Sequence, residues 1–339
     1  MRTDSVSRSV SEPVTNLSPL PDVYGPIESE LAEVERILKT ELRSDHPYVD
    51  ELVRYGCLLG GKRLRPTLLL LTAKAIGELK PAHLILGAVV EMIHTATLVH
   101  DDVLDEADTR RHLATVNSRW DNKASVLLGD YLFTHAFYLA STTGSAWACQ
   151  EIGRATNIVC EGELRQKGCR GDFALSEREY FEIIAAKTAE LTACSCRLGA
   201  HYAGASVEVV ERLTNFGRDL GIAFQIVDDV LDLQGEEAAT GKSLGTDLEQ
   251  QKPTLPIIHA LESHSPAKRD ELLSLLSSDV APSRESLLPW LAEYDSVEYA
   301  YETAKRFAAS ALENLACLEE SDATNTLRLI AAFVVERSR

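Results

Sequence analysis

Asp101, Asp102 and Asp105 crowd three carboxylates into five positions of LVHDDVLDEADTRR, residues 98–111. At about 100° per residue they fall at about 0°, 100° and 40° around a helix, inside one arc. Carboxylates this close repel unless a cation joins them. Oxygen-only donors suit Mg²⁺, which keeps part of its water and bridges to phosphate oxygens. A single such patch also fits a solvated helix face. A second makes that reading poor: Asp228, Asp229 and Asp232 in FQIVDDVLDLQG repeat the spacing 127 residues later (228 minus 101), again after an apolar run. On two buried helices of a bundle, the patches are expected to face each other across a cavity. There they would hold metal ions, and the ions a polyanion.

The elements that must position these groups are helical. IESELAEVERILKTEL spaces Leu31, Val34, Ile37, Leu38 and Leu42 by threes and fours. Ala300, Ala304, Phe307, Ala308, Ala311, Leu312 and Leu315 repeat that period near the other end. No sustained alternation and no Asn-Gly or Asp-Gly turn marks a strand. Breaks fall at GGKRLRP (60–66), at KPAH (80–83), around Gly171 and at QGEEAATGKSLG (234–245). No repeat and no long linker divides the chain. The expectation is one all-α bundle of roughly a dozen helices over residues 26–339, preceded by a Ser- and Pro-rich flexible tail to about residue 25.

The 339 residues are 45% hydrophobic, enough for a large buried core. Asp plus Glu number 52 against 34 Lys plus Arg, a net charge of −18, which disfavours nucleic acid as a partner. An anionic substrate must therefore be held by local cations or metal. Seven cysteines with no CxxC pair read as reduced, small apolar side chains of a cytoplasmic protein. Neither a secretory signal nor an uninterrupted apolar run of membrane-spanning length stands out, so no stable membrane anchor is expected.

DDVLDEADTRR together with IVDDVLD resembles the paired aspartate-rich motifs of the trans-isoprenyl (polyprenyl) diphosphate synthases. Further blocks of that family follow in order: GGKRLRP at 60–66, GDYL at 129–132, EGELRQ at 161–166, KTAEL at 187–191 and GKSLGTDLEQQKPTLP at 241–256. The likeness runs over about residues 28–339. It implies the all-α isoprenoid-synthase bundle around a central cavity, a homodimer, and head-to-tail condensation of isopentenyl diphosphate with an allylic diphosphate. About three Mg²⁺ ions would lie on Asp101, Asp102, Asp105, Asp228, Asp229 and Asp232.

By the same resemblance Lys62, Arg65, His94 and Arg111 bind isopentenyl diphosphate, and Arg110, Lys187, Lys242 and Lys252 bind the allylic diphosphate. Lys187, Thr188, Gln225 and Arg110 serve catalysis, with Thr188 and Gln225 near the developing carbocation and Phe224 beside them. The implied course is ionisation, condensation and elimination, with the released diphosphate as base. Two departures stand out. The family's RRGxPT is here RRHLATVN, with His112 and Ala114, and its Gly before the C-terminal lysine is here Gln251.

Product length follows from what lies beneath Asp101. Ala96 and Thr97 sit about 7.5 and 6 Å below it along the axis. Neither is a bulky aromatic floor, and EMIHTATLVHDD resembles the long-chain members, so a C30 to C50 product is expected. The next layer down, Ile93 and Met92, could slow or end growth deeper, and another helix, such as the one carrying Ile152 and Ile158, could close the tunnel and give a shorter C15 or C20 product. A terpene cyclase would not need Lys62, Arg65, His94 and Arg111 together. A non-catalytic subunit would usually lack one aspartate motif, and a metal phosphohydrolase built on His100 and Asp101 would need further histidines.

Overall fold

The computed structural model describes residues 24–58, 61–110, 113–235, 245–278 and 281–336. Its apolar runs fold as α1 (Glu28–Glu41), α2 (Pro47–Leu58), α3 (Leu64–Ile76) and α4 (Pro81–Leu104). Next come α5 (Val116–Arg119), α6 (Asn122–Ser141), α7 (Ala146–Gly168), α8 (Glu177–Ile184), α9 (Glu190–Ala203) and α10 (Val207–Gln234). The remainder is α11 (Thr246–Glu249), α12 (Leu255–Ser263), α13 (Pro266–Leu276), α14 (Arg284–Ala292), α15 (Ser296–Asn314) and α16 (Asp322–Glu336). Among the described residues the only sheet is a two-residue hairpin, Thr109–Arg110 against Leu113–Ala114.

Local signals set the helix ends. Ser176 accepts from the Glu179 amide while Glu179 bonds back to the Ser176 amide, starting α8 with a capping box. Asp121 caps α6 through the Ala124 amide at 2.7 Å. Pro81 opens α4, where its missing N–H costs nothing. Gly204, with φ +89°, ends α9.

Leu68, Leu69, Leu70 and Leu71 are all fully buried, so α3 is enclosed on every side. It packs on α4 and α9; α4 packs also on α1 and α6, and α9 on α10, which in turn lies along α15. By length and composition α4 could cross a membrane, yet most of it is buried inside this bundle.

Three details refine the sequence reading. Residues 1–23 lie outside the described residues, but Tyr24 and Gly25 already belong to the folded body. The Tyr24 hydroxyl donates to the Lys62 carbonyl at 2.8 Å, and Ile27 is fully buried. After the break at GGKRLRP, α3 begins at Leu64, and Pro66 occupies its first turn. Finally, α8 and α9 are one helix interrupted by a π-turn, Ala185–Ala189, which holds Lys187 and Thr188.

Candidate active site

Both acidic motifs lie at the C-terminal ends of the long helices α4 and α10. Asp101 and Asp102 occupy the last turn of α4, and Asp105 is its C-cap. Asp228, Asp229 and Asp232 occupy the last two turns of α10. A helix C-terminus carries negative partial charge, so each carboxylate there is disfavoured and a cation is favoured. Burial adds to this. It pushes the carboxyls of Asp101 and Asp102 above their ordinary range, against the pull of Lys187 on the first and Arg110 on the second. Burial, with Asp247 next in effect, raises Asp229 to about 8 and Asp232 to about 6.

The cations expected here arrive from other elements. Arg110, from the hairpin, places Nε and Nη2 each 2.8 Å from Asp102 Oδ1. Lys187 bonds Glu163 and Gln166 of α7, both at 2.8 Å. Burial opposes its charge, but Asp101 and Glu163 outweigh that and hold its pKa above the ordinary lysine value. Lys252 lies 3.7 Å from Asp105 and 3.4 Å from Asp247. Thr188 donates to Gln225 Oε1 at 2.8 Å, and Gln225 Nε2 donates to Asp229 at 2.7 Å. Asp232 accepts from the Thr246 hydroxyl and the Asp247 amide, both at 3.1 Å.

Two short segments therefore tie the motifs together. In the π-turn, Lys187 serves the first motif and Thr188 the second. In the α11 region, Thr246 and Asp247 hold Asp232 while Lys252 reaches Asp105. The π-turn is gripped on both sides by glycine. A Cβ on Gly162 of α7 would stand 2.6 Å from the Lys187 amide nitrogen, and one on Gly221 of α10 would stand 2.6 Å from Ala189 Cα.

The expected isopentenyl-side residues cluster at the start of α3 and on α4. Arg63, left-handed at φ +49°, pairs with Glu35 and, at 2.8 Å, with the buried Glu91. This fastens the segment bearing Lys62 and Arg65 to α4, one turn before His94. Burial pushes the Arg65 guanidinium down to about 10, although Glu91 pulls the other way. Its Nε is buried without a hydrogen-bond partner. A phosphate oxygen would satisfy that donor. Arg111 and Lys242, and with them His112, lie outside the described residues.

Ala96 and Thr97, read as leaving the space beneath Asp101 open, separate. Ala96 is fully buried in the core, while Thr97 is half-buried with its hydroxyl on the His94 carbonyl at 2.8 Å. About 40° separates Thr97 from Asp101 around the helix, against about 140° for Ala96. The stripe of His94, Thr97 and Asp101 is thus the one aligned with the acidic patch. His100 turns away: its ring lies against Gly129 of α6, with Nε2 3.2 Å from the Val126 carbonyl.

The structure adds groups that spacing did not single out. Arg170 reaches Asp105 Oδ1 at 2.5 Å, and Tyr180 donates to Asp229 Oδ2 at 2.6 Å. Glu163, Gln166 and Asp247 complete the shell. Glu163 and Gln166 lie in EGELRQ and Asp247 in GTDLEQQ, so the blocks marked their segments without marking their roles.

The donor set fits a divalent cation. It is all oxygen, it sits at two helix C-termini, and Asp102 Oδ2 is buried with no hydrogen-bond partner. The carboxylates are now turned to Arg110, Arg170, Lys252, Tyr180 and Thr246. Among the described residues no three His, Cys, Asp or Glu side chains converge on one point. Ion binding requires some of these carboxylates to rotate toward a common centre.

The polyprenyl synthetase family model matches residues 46–288. Octaprenyl diphosphate synthase of Escherichia coli strain K12 is 35% identical over 313 residues, 91% of this chain and 96% of that one. Among solved structures, a decaprenyl diphosphate synthase from Rhodobacter capsulatus aligns with a TM-score of 0.89 at 35% identity, over 95% of this chain and 100% of the other. A polyprenyl synthase from Caulobacter crescentus CB15, complexed with calcium and isoprenyl diphosphate, gives 0.88 at 34% identity, over 94% and 97%.

Proposed function

Because the chain belongs to the polyprenyl synthetase family, we propose that it joins isopentenyl diphosphate head-to-tail to an allylic diphosphate and releases a long trans-polyprenyl diphosphate, about C30 to C50. It is a prenyltransferase of a metal-dependent family. The observation that carries the reading is that consecutive residues of the π-turn act on both acidic helix ends, Lys187 through its charge on Asp101 beside Glu163 and Thr188 through Gln225 on Asp229.

Each group has a task. Asp101, Asp102 and Asp105, with Asp228, Asp229 and Asp232, would hold the metal, which we take to be Mg²⁺, about three ions. When bound, these ions supply charge neutralisation to the leaving diphosphate. Arg110, Lys187, Lys242 and Lys252 hold that diphosphate, and Lys62, Arg65, His94 and Arg111 hold isopentenyl diphosphate. Thr188 and Gln225 present oxygen dipoles toward the allylic carbon as its bond to oxygen breaks. The isopentenyl double bond then attacks that carbon. The proton lost in forming the new alkene passes to the departing diphosphate. Fixed charges and dipoles in a dry cavity carry most of the rate.

A homodimer is part of the proposal. The outer side of α6 exposes Val126, Leu127 and Tyr138, apolar side chains that a second copy would cover. The free state of all seven cysteines suits a cytoplasmic enzyme.

The test is metal dependence tied to both motifs. Chelation should abolish transfer of labelled isopentenyl units to farnesyl diphosphate, and Mg²⁺ should restore it. Asp101→Asn and Asp228→Asn should each lower turnover by at least ~100-fold. Full activity after chelation, or in either variant, would refute the assignment.

A further inference from the structure

Tyr180 belongs to none of the motifs, yet its hydroxyl is aimed at a metal-ligand candidate. The side chain is 3% exposed and stands on α8 among Ile183, Ile184, Ile222 and Ile226. Phe181 meets it edge-on at 5.5 Å. In these apolar surroundings the hydroxyl makes one hydrogen bond, to Asp229 Oδ2 at 2.6 Å. The other oxygen, Oδ1, accepts from Gln225 Nε2 at 2.7 Å, and Gln225 Oε1 accepts from Thr188 Oγ1 at 2.8 Å. Three bonds thus run from α8 through α10 to the π-turn.

Donor and acceptor chemistry gives this chain one direction. With a cation bound, Asp229 is ionised and only accepts, so Tyr180 must donate to it and Gln225 must offer its NH₂. The amide oxygen of Gln225 is then left facing Thr188. Were the amide reversed, its oxygen would meet the carboxylate oxygen and repel it. The Tyr180 bond is short, as expected of a hydroxyl donating to a charged oxygen. It leaves each Asp229 oxygen a further lone pair for a cation.

We propose that Tyr180 is a positioning residue for the prenyl transfer. It fixes the carboxylate plane of Asp229 for the metal and, through Asp229, turns the Gln225 oxygen toward the reacting carbon. This rests on the reading given under Proposed function. Without the hydroxyl, Asp229 keeps one anchor instead of two. It can then rotate about its Cβ–Cγ bond and take the Gln225 amide with it. Groups that orient metal ligands from behind typically govern metal affinity by ~10- to 100-fold.

The test compares full-length wild type with Tyr180→Phe, which keeps ring and volume. Calorimetry would measure Mg²⁺ binding in the presence of inorganic pyrophosphate. The expected result is ~10-fold weaker binding, a matching rise in half-saturating Mg²⁺ during turnover, and an isopentenyl diphosphate KM within about twofold. Phe181→Leu is the packing control; it should lower Tm and leave metal affinity alone. If Tyr180→Phe also lowers Tm but binds Mg²⁺ and pyrophosphate like wild type, Tyr180 is only structural and the proposal fails. If wild type itself binds no Mg²⁺ with pyrophosphate, the functional assignment fails, and this inference with it.

Discussion

Lys187 and Thr188 are adjacent in sequence, yet each serves a different acidic helix end. Lys187 neutralises the Asp101 side, and Thr188 begins the hydrogen-bond chain to Asp229. Regular helix would place consecutive side chains about 100° apart; here the π-turn sets their directions. Its seat depends on Gly162, where an added Cβ would stand 2.6 Å from the Lys187 amide nitrogen. Gly162→Ala should cost ~1–3 kcal/mol in stability by overpacking. It should also lower kcat by ~10- to 100-fold, because both side chains are displaced. Thermal melting and steady-state kinetics would check both, and wild-type kcat would show that the turn can shift without consequence.

Arg170 and Asp105 make a second contact with a functional consequence. Their 2.5 Å ion pair and the 3.2 Å bond from Arg170 to Gln250 close the α7 end over the first motif. While paired, Asp105 is less available to a metal ion. Arg170→Gln should therefore tighten Mg²⁺ binding by a few-fold while lowering the Tm of the metal-free protein by a few degrees. Calorimetry and melting curves would show the two effects, and weaker Mg²⁺ binding would count against a competing role for Arg170.

The metal-free protein should respond to pH in an unusual direction. Burial, with Asp247 next, raises Asp229 to about 8 and Asp232 to about 6, from the ordinary aspartate value of 3.8. The folded state then binds protons more tightly than the unfolded chain. The stability this confers is present below about pH 4 and is lost as pH rises through about 6 and about 8. The unfolding free energy from urea titrations should thus fall between pH 5 and pH 9, by the order of a few kcal/mol, and the urea midpoint with it. Saturating Mg²⁺ with pyrophosphate should flatten that fall by favouring the ionised carboxylates. A metal-free midpoint rising across this window would contradict the burial of Asp229.

Gln251 occupies a backbone position suited to glycine. Its φ of +51° lies in the left-handed region, and its carbonyl accepts from the Gly171 amide at 2.8 Å. That conformation costs a non-glycine residue roughly 1–2 kcal/mol, against a smaller entropic penalty for glycine. Gln251→Gly should therefore raise stability by up to ~1 kcal/mol with transfer activity retained. A loss of stability would mean that the side chain makes an offsetting contact.

Much of this architecture was legible in the sequence because it rests on local period and motif order. The threes and fours of α1 and α15, the breaks at Lys80 and Gly171, and the two aspartate triplets all appear where expected. The carry-over to Lys187, Thr188, Gln225 and Arg110 matches groups that the structure brings to the acidic ends. Less legible was whatever depends on long-range packing. The π-turn is packed closely between Gly162 of α7 and Gly221 of α10, and no periodicity announces it. Tyr180 and Arg170 look like ordinary helix and loop residues until the fold sets them against Asp229 and Asp105. Ala96 and Thr97 are neighbours in sequence, and only the packing of α4 shows that Ala96 is enclosed while Thr97 shares the stripe of Asp101.

That stripe bears directly on product length, and one assay addresses it together with the chemistry. Purified protein, Mg²⁺, labelled isopentenyl diphosphate and farnesyl diphosphate would be incubated, and the dephosphorylated products sized by chromatography. Wild type should give all-trans chains of about six to ten isoprene units, the C30 to C50 range proposed above, and Thr97→Phe should shorten them. No elongation of farnesyl or geranylgeranyl diphosphate by wild type in the presence of Mg²⁺ would contradict the assignment as a polyprenyl diphosphate synthase.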